Sequence, residues 1–113
     1  MPVFYYKSTC STCRKARALL AELGVGTQER DMSKNPLSAE ELTRLIGDRE
    51  IVPFLNPRNE MYRERGMRAN PPSKAEAIAL MAENANLIRR PLLVDGDRIL
   101  YGFDEAAYGT LGA

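Results

Sequence analysis

Apolar positions along the chain fall into short, separated groups whose spacing alternates between that of strands and that of helices. Val3-Phe4-Tyr5-Tyr6 is a β-branched and aromatic run that stops at the polar Lys7-Ser8-Thr9, and it reads as a short buried strand. From Cys13 onward Ala16, Leu19, Leu20 and Leu23 recur at helical spacing, and Gly24 offers the left-handed residue that ends a helix. Between strand and helix lies a tight polar turn that holds both cysteines.

Beyond Gly26, residues 27–30 predict a second strand. Ser38-Ala39-Glu40-Glu41 then reads as a capping box for a helix carrying Leu42, Leu45 and Ile46 and closed by Gly47. Pro53 and Pro57 break any regular element in the stretch 51–67, apart from a helix expected around residues 60–65. After Pro71-Pro72, Ser73-Lys74-Ala75-Glu76 reads as a second capping box, opening a helix that bears Ala77, Ile78, Met81 and Ala82 and ends near Asn84. Leu92-Leu93-Val94 and Arg98-Ile99-Leu100-Tyr101 flank Asp95-Gly96, a hairpin signal with the residues of a type I′ turn, and Asp104 can cap a short last helix. Strand, helix, strand, helical middle, hairpin and helix is the order of an α/β thioredoxin-like fold with an inserted helical subdomain. The expectation is one domain over residues 1–113, with the insertion spanning roughly 36–88.

Composition narrows the function classes. Of 113 residues 44% are apolar and 27% charged, which suits a folded globular chain. The 16 basic and 15 acidic side chains leave a net charge of +1, so no global field draws the chain to nucleic acid or to an anionic membrane. No apolar run approaches the ~20 residues that span a bilayer, and the N-terminal residues lack a secretory pattern. These features predict a cytoplasmic protein without membrane or direct nucleic-acid partners. In a reducing compartment two cysteines three residues apart point to redox chemistry or metal binding. The absence of histidine removes the Ser-His-Asp and Cys-His arrangements and the usual further ligands of a two-cysteine zinc site, so no metal is expected.

Placed just before the helix, Cys10 would face the unpaired amides of its first turn, and the positive end of the helix dipole favours thiolate over thiol. Arg14, Lys15 and Arg17 add positive potential in the first turns. Cys13, one turn deeper, can attack a mixed disulfide formed on Cys10. The competing reading, two cysteines as small buried apolar residues, leaves the three-residue interval and the polar flank of Ser8, Thr9, Ser11 and Thr12 unexplained. Arg90-Pro91 precedes the hairpin, where a thioredoxin fold sets a cis-proline beside the cysteine turn. Arg90 would then lie near the Cys10 sulfur and could bind an oxyanion bidentately; the alternative is a solvated arginine at the start of a strand.

Several segments together resemble the ArsC-like family, which includes glutaredoxin-dependent arsenate reductases and Spx-type transcription regulators. They are Tyr5 through Ala16, Asn56-Pro57-Arg58 followed by Tyr62, Leu87 through Gly96, and Gly102-Phe103-Asp104-Glu105. The resemblance implies Cys10 as nucleophile and Cys13 as resolving cysteine, the two forming a redox-active disulfide, with Arg58 and Arg90 as anion-holding arginines. It implies Thr9, Ser11, Thr12, Arg14 and Pro91 as the substrate-binding surround. Tyr5, Tyr6 and Tyr62 are expected in the core or at its rim rather than as catalytic acids. Arsenate-reducing members hold their oxyanion with three arginines; the third would fall near Gly102-Phe103, where this chain has no cation. They also do not normally carry a second cysteine in this turn.

Two functions follow from the resemblance. One is a thiol-disulfide oxidoreductase without a tightly bound cofactor, acting on a small anionic or thiol substrate, with glutathione and glutaredoxin, or thioredoxin, as electron donor. The other is a redox-sensing regulator whose disulfide state governs binding to the C-terminal domain of the RNA polymerase α subunit.

Overall fold

The computed structural model describes residues 1–111; Gly112 and Ala113, the end of the expected 1–113 domain, lie outside the described residues. In chain order the elements are β1 Val3–Tyr6, α1 Ser11–Glu22, β2 Gln28–Asp31, α2 Ala39–Ile46, α3 Glu60–Glu64, α4 Lys74–Glu83, β3 Leu92–Asp95, β4 Arg98–Tyr101 and α5 Glu105–Gly109. Two 3-10 turns, Val52–Phe54 and Ala85–Leu87, complete the set. The chain forms two compact units, one made of Met1–Asn35 with Arg90–Ala113 and the other of Pro36–Arg89.

The first unit is a four-stranded sheet in the order β2-β1-β3-β4. β1 runs parallel to β2, with α1 as the crossover, and antiparallel to β3, which pairs with β4 as a hairpin. Phe4 stands opposite Leu93, and Leu93 opposite Leu100. This register puts the three on one sheet face, where they pack with Ala16 and Leu20 of α1 and Tyr108 of α5. Burying a large apolar side chain contributes about 1.5 to 3 kcal/mol, so this row is the main cohesion between the sheet and its two helices.

Local signals account for most boundaries. Gly24, at φ +72°, lets its own N–H reach Ala21 O (3.1 Å) and the Val25 N–H reach Leu20 O (3.0 Å), a Schellman ending held by Val25 against the core. α1 begins at Ser11, two residues ahead of the apolar pattern, because Cys10 caps it and the Cys13 N–H donates to the Cys10 sulfur. β2 lies one residue later than the expected 27–30. The hairpin turn also differs from expectation. Asp95 pairs with Arg98, so the two loop residues are Gly96 and Asp97. Of these two only Gly96 has a positive φ, +59°, since no non-glycine residue among those described does. That is the φ pattern of a type II′ turn, with glycine at its first central position, rather than the type I′ turn expected on Asp95-Gly96.

The second unit is helical. Both halves of the Ser38 capping box form, at 3.1 Å from the Glu41 N–H to Ser38 Oγ and 3.2 Å from the Ser38 N–H to Glu41 Oε1. At Ser73 only the first half forms, the Glu76 N–H donating to Ser73 Oγ at 3.2 Å. The proline-broken stretch 51–67 holds a 3-10 turn with Pro53 in it, then α3, whose cap is Asn59. Leu42 and Ile46 of α2 and Ala77 and Met81 of α4 are buried where the two helices pack. The ends of this unit's last segment are tied back by Asn56 N–H to Leu87 O and Arg89 N–H to Phe54 O, both 2.7 Å. Among the described residues no helix is long and apolar enough to cross a membrane.

Candidate active site at the cysteine turn

The turn between β1 and α1 is built from backbone groups. The Cys10 N–H donates to Lys7 O (3.0 Å), and Cys10 O accepts the Arg14 N–H (3.1 Å), which closes the first turn of α1. Cys10 itself is extended, φ −86° and ψ 119°, so its side chain folds over the helix end and its sulfur accepts the Cys13 N–H at 3.4 Å. Both cysteines are free thiols. Cys10 is half-buried and Cys13 only 1% exposed.

Their surroundings push the two thiols apart. Burial works against ionising Cys10, but the hydrogen bonds from Cys13 and from the Arg90 guanidinium, with the Arg90 charge, outweigh it and hold Cys10 below the usual thiol value. Burial pushes Cys13 up to about 12, and the neighbouring Cys10 sulfur adds to the rise, against the lowering effect of the Lys7 backbone hydrogen bond and the Arg90 charge. The pair thus sets a half-buried thiol held below the usual value beside an enclosed one that stays protonated at neutral pH.

Arg90 reaches the sulfur from the far end of the sequence, half-buried at the head of β3. The Arg90-Pro91 peptide bond is cis, Pro91 is buried, and Pro91 O accepts the Gly102 N–H at 2.8 Å. The cations in α1 are placed otherwise. Arg17 is bound to Glu29 of β2 through two 2.7 Å contacts and lies over the Tyr6 ring, 5.0 Å from its centroid. Arg14 donates to Ser8 O at 3.4 Å, and Lys15 is exposed. The positive charge on Cys10 thus comes from Arg90, while Arg17 ties helix to sheet.

Of the remaining expected site residues, Thr9 and Ser11 are exposed on the turn and Thr12 is half-buried. Arg58 belongs to the second unit, exposed in the turn ahead of α3, where its N–H donates to Asn56 Oδ1 at 3.1 Å. Tyr5, Tyr6 and Tyr62 are half-buried. Gly102, at φ +72°, is buried, and Phe103 meets the Tyr108 ring edge-on at 5.3 Å, so this corner supplies packing and no cation. No group of three or more His, Cys, Asp or Glu side chains among the described residues converges as a metal site would.

One fully buried polar side chain carries no sequence signal. Tyr108 is fully buried, its hydroxyl makes no hydrogen bond, and burial above all raises its ionisation above the usual phenol value, the charge that Cys13 would carry once ionised adding to the rise. A lone tyrosine in a short terminal helix gives no sign that it will be enclosed; only the docking of α5 on α1 does.

The ArsC family model matches residues 5–111. The chain belongs to the ArsC family. The global transcriptional regulator Spx of Enterococcus faecalis is 32% identical over 110 residues, covering 93% of this chain and 81% of that one. A possible arsenate reductase from Streptococcus mutans UA159 superposes with a TM-score of 0.75 at 34% identity over 91% of each chain. The arsenate reductase from Vibrio cholerae superposes at 0.81 with 28% identity, over 97% of this ArsC-family chain and 96% of that one. The fold is the ArsC form of the thioredoxin-like fold, and the cysteine turn described above occupies the start of its first helix.

Proposed function

We propose that this ArsC-family chain is a thiol-disulfide oxidoreductase in which Cys10 attacks and Cys13 resolves. The observation that carries the reading is the opposed perturbation of the pair: Cys10 held below the usual thiol value beside Arg90, and Cys13 pushed up to about 12. In the first step the Cys10 thiolate attacks one sulfur of an oxidised substrate, RS–SR′, forming Cys10–S–S–R and expelling R′S⁻, which takes up a proton. In the second the Cys13 sulfur attacks Cys10, giving the Cys10–Cys13 disulfide and RSH, the proton passing from the Cys13 thiol to the departing thiolate. Glutathione with glutaredoxin, or thioredoxin, would return the two electrons.

Arg90 would hold an anionic substrate group or a glutathione carboxylate. Arsenate is a poor candidate substrate, because the corner at Gly102-Phe103 offers no third cation. A contact of that kind contributes about 1.5 to 3 kcal/mol. The second reading, favoured by the similarity to Spx regulators, is that the same disulfide switches affinity for the RNA polymerase α subunit.

The deciding experiment measures Cys10 reactivity against pH and turnover on glutathione mixed disulfides, insulin and arsenate, in wild type, Cys10→Ser and Cys13→Ser. Turnover that needs Cys10 supports the reductase, and full turnover by Cys10→Ser sinks it. Reversible disulfide formation without turnover, together with redox-dependent recovery of polymerase α subunit, would establish the regulator instead.

A further inference from the structure

Closing the Cys10–Cys13 disulfide requires Cys13 to give up a proton, and its surroundings hold no base to take it. Cys13 is 1% exposed and shares the buried face of α1 with Ala16 and Leu20, at positions i, i+3 and i+7. Among the described residues no acidic or basic side chain is fully buried, and the chain has no histidine. The groups that bear on the Cys13 sulfur are the Lys7 backbone, the Cys10 sulfur, the Arg90 guanidinium and the Tyr108 phenol, which burial keeps protonated. None of these is a base once Cys10 is bonded to a substrate, so the proton must leave with the group that Cys10 expels. A departing thiolate of ordinary basicity, ~8.5, is a poor acceptor for it, because burial holds Cys13 near 12, at about 12. Hydroxide, the conjugate base of water at ~15.7, takes it readily. The enclosed thiol is therefore matched to a leaving oxygen better than to a leaving sulfur.

Cys10 is placed for the reaction that creates such a group. It is half-buried at the cap of α1, its sulfur accepts the Cys13 N–H at 3.4 Å, and the Arg90 guanidinium donates to it. A guanidinium presents five N–H donors in one plane, more than a single sulfur accepts, so a small O–O group lined up on the sulfur meets the same fork. We propose that the cysteine turn also reduces hydroperoxides: Cys10 attacks the peroxide, Arg90 holds the oxygen that departs, and Cys13 gives its proton to the hydroxide released as the disulfide closes. The inference rests on the resolving role of Cys13 proposed above. In the first step the Cys10 thiolate attacks the terminal oxygen of ROOH, the S–O bond forms and the O–O bond breaks. RO⁻ leaves and takes up a proton as ROH, so Cys10 becomes a sulfenic acid, oxidised by the two electrons that reduce the peroxide. In the second the Cys13 sulfur attacks the Cys10 sulfur, the S–S bond forms, the S–O bond breaks, and hydroxide departs with the Cys13 proton as water. The thiol donor that serves the disulfide substrates returns the two electrons.

Reduced protein mixed with hydrogen peroxide or with glutathione disulfide, quenched by alkylation and read by mass, follows each sulfur separately. Hydrogen peroxide should oxidise Cys10 about a hundredfold faster than it oxidises free cysteine at equal thiolate concentration, the effect of one donor aimed at the charge that develops on oxygen. Arg90→Met should fall back to the free-cysteine rate, whereas its alkylation by iodoacetamide changes only about 2.5-fold, so neither misfolding nor altered ionisation accounts for the loss. Cys13→Ser should accumulate the Cys10 sulfenic acid, trapped by dimedone. In wild type that acid should give way to the Cys10–Cys13 disulfide before it can be trapped, while the glutathione mixed disulfide on Cys10 outlasts it at the same pH. A peroxide rate equal to that of free cysteine, an unchanged rate in Arg90→Met, or a mixed disulfide that resolves as fast as the sulfenic acid overturns the inference. Cys10-dependent turnover of glutathione disulfide then leaves the oxidoreductase reading intact. A wild-type protein in which neither oxidant produces the Cys10–Cys13 disulfide removes the resolving role of Cys13 and this inference with it.

Discussion

Replacing Arg90 with methionine keeps a side chain of similar length and removes the charge and the hydrogen bond that hold the Cys10 thiolate. A well-shielded hydrogen bond to a charged group contributes about 1.5 to 3 kcal/mol. Both partners here are only half-buried, and solvent screening reduces the contribution to about 1 kcal/mol. That is ~5-fold in the thiolate equilibrium. The less stabilised thiolate is also the better nucleophile, by about twofold for this change in basicity. Alkylation of Arg90→Met by iodoacetamide should therefore run about 2.5-fold slower than wild type on the acidic side of the titration and about twofold faster once both proteins are fully ionised. Cys13, pushed up to about 12, stays silent below pH ~10, so the assay reads Cys10 alone. The signature is two rate profiles that cross. Profiles that superimpose, or that differ by one factor at every pH, would refute the assignment of Arg90 as the thiolate's partner.

Other consequences follow from the same geometry. Burial sets Cys13 above the ordinary thiol value of 9.0 in the folded chain, so on raising the pH the unfolded chain releases that proton first; native stability should fall between about pH 9 and about 12. Urea titrations across that range should show the slope in wild type and a flatter one in Cys13→Ala. Leu93→Ala removes the central residue of the Phe4, Leu93, Leu100 row and should cost about 2 to 5 kcal/mol of unfolding free energy in urea; a loss under 1 kcal/mol would mean the row is not the core. Ser38→Ala removes one half of a complete capping box and should cost about 1 kcal/mol, read as earlier hydrogen exchange of the α2 amides. Gly96→Ala places a side chain at φ +59° and should lower stability by about 1 kcal/mol, although the position is open to solvent.

Much of this architecture is legible in the sequence because its signals are local. The aromatic and β-branched run Val3 to Tyr6, the glycines at 24 and 47, the serine caps at 38 and 73 and the Asp104 cap each act within one turn of chain, and each predicts an element that forms. The same locality makes the lowering of Cys10 readable, since the amide that reaches its sulfur belongs to the first turn of the helix it caps. Where the sequence misleads, nonlocal geometry has overridden a local preference: the pairing of Asp95 with Arg98 moves the hairpin turn onto Gly96-Asp97, and the cysteine cap starts α1 ahead of its apolar pattern.

The charge balance at the site belongs to the tertiary structure. Nothing in the spacing of Arg14, Lys15 and Arg17 distinguishes them from Arg90 as partners for the sulfur; the helix phase and Glu29 turn Arg17 toward the sheet, and the start of β3 delivers Arg90. The raised values of Cys13 and Tyr108 depend on burial, which is a property of the packed chain and not of any segment. By itself the sequence determined the elements, their order and the thiol at a helix start, because hydrogen bonds within a turn encode these. Which side chains tune that thiol and its partner was decided only when α5 and β3 closed on α1 and β1, because electrostatic coupling depends on distance through space and on the water excluded between groups.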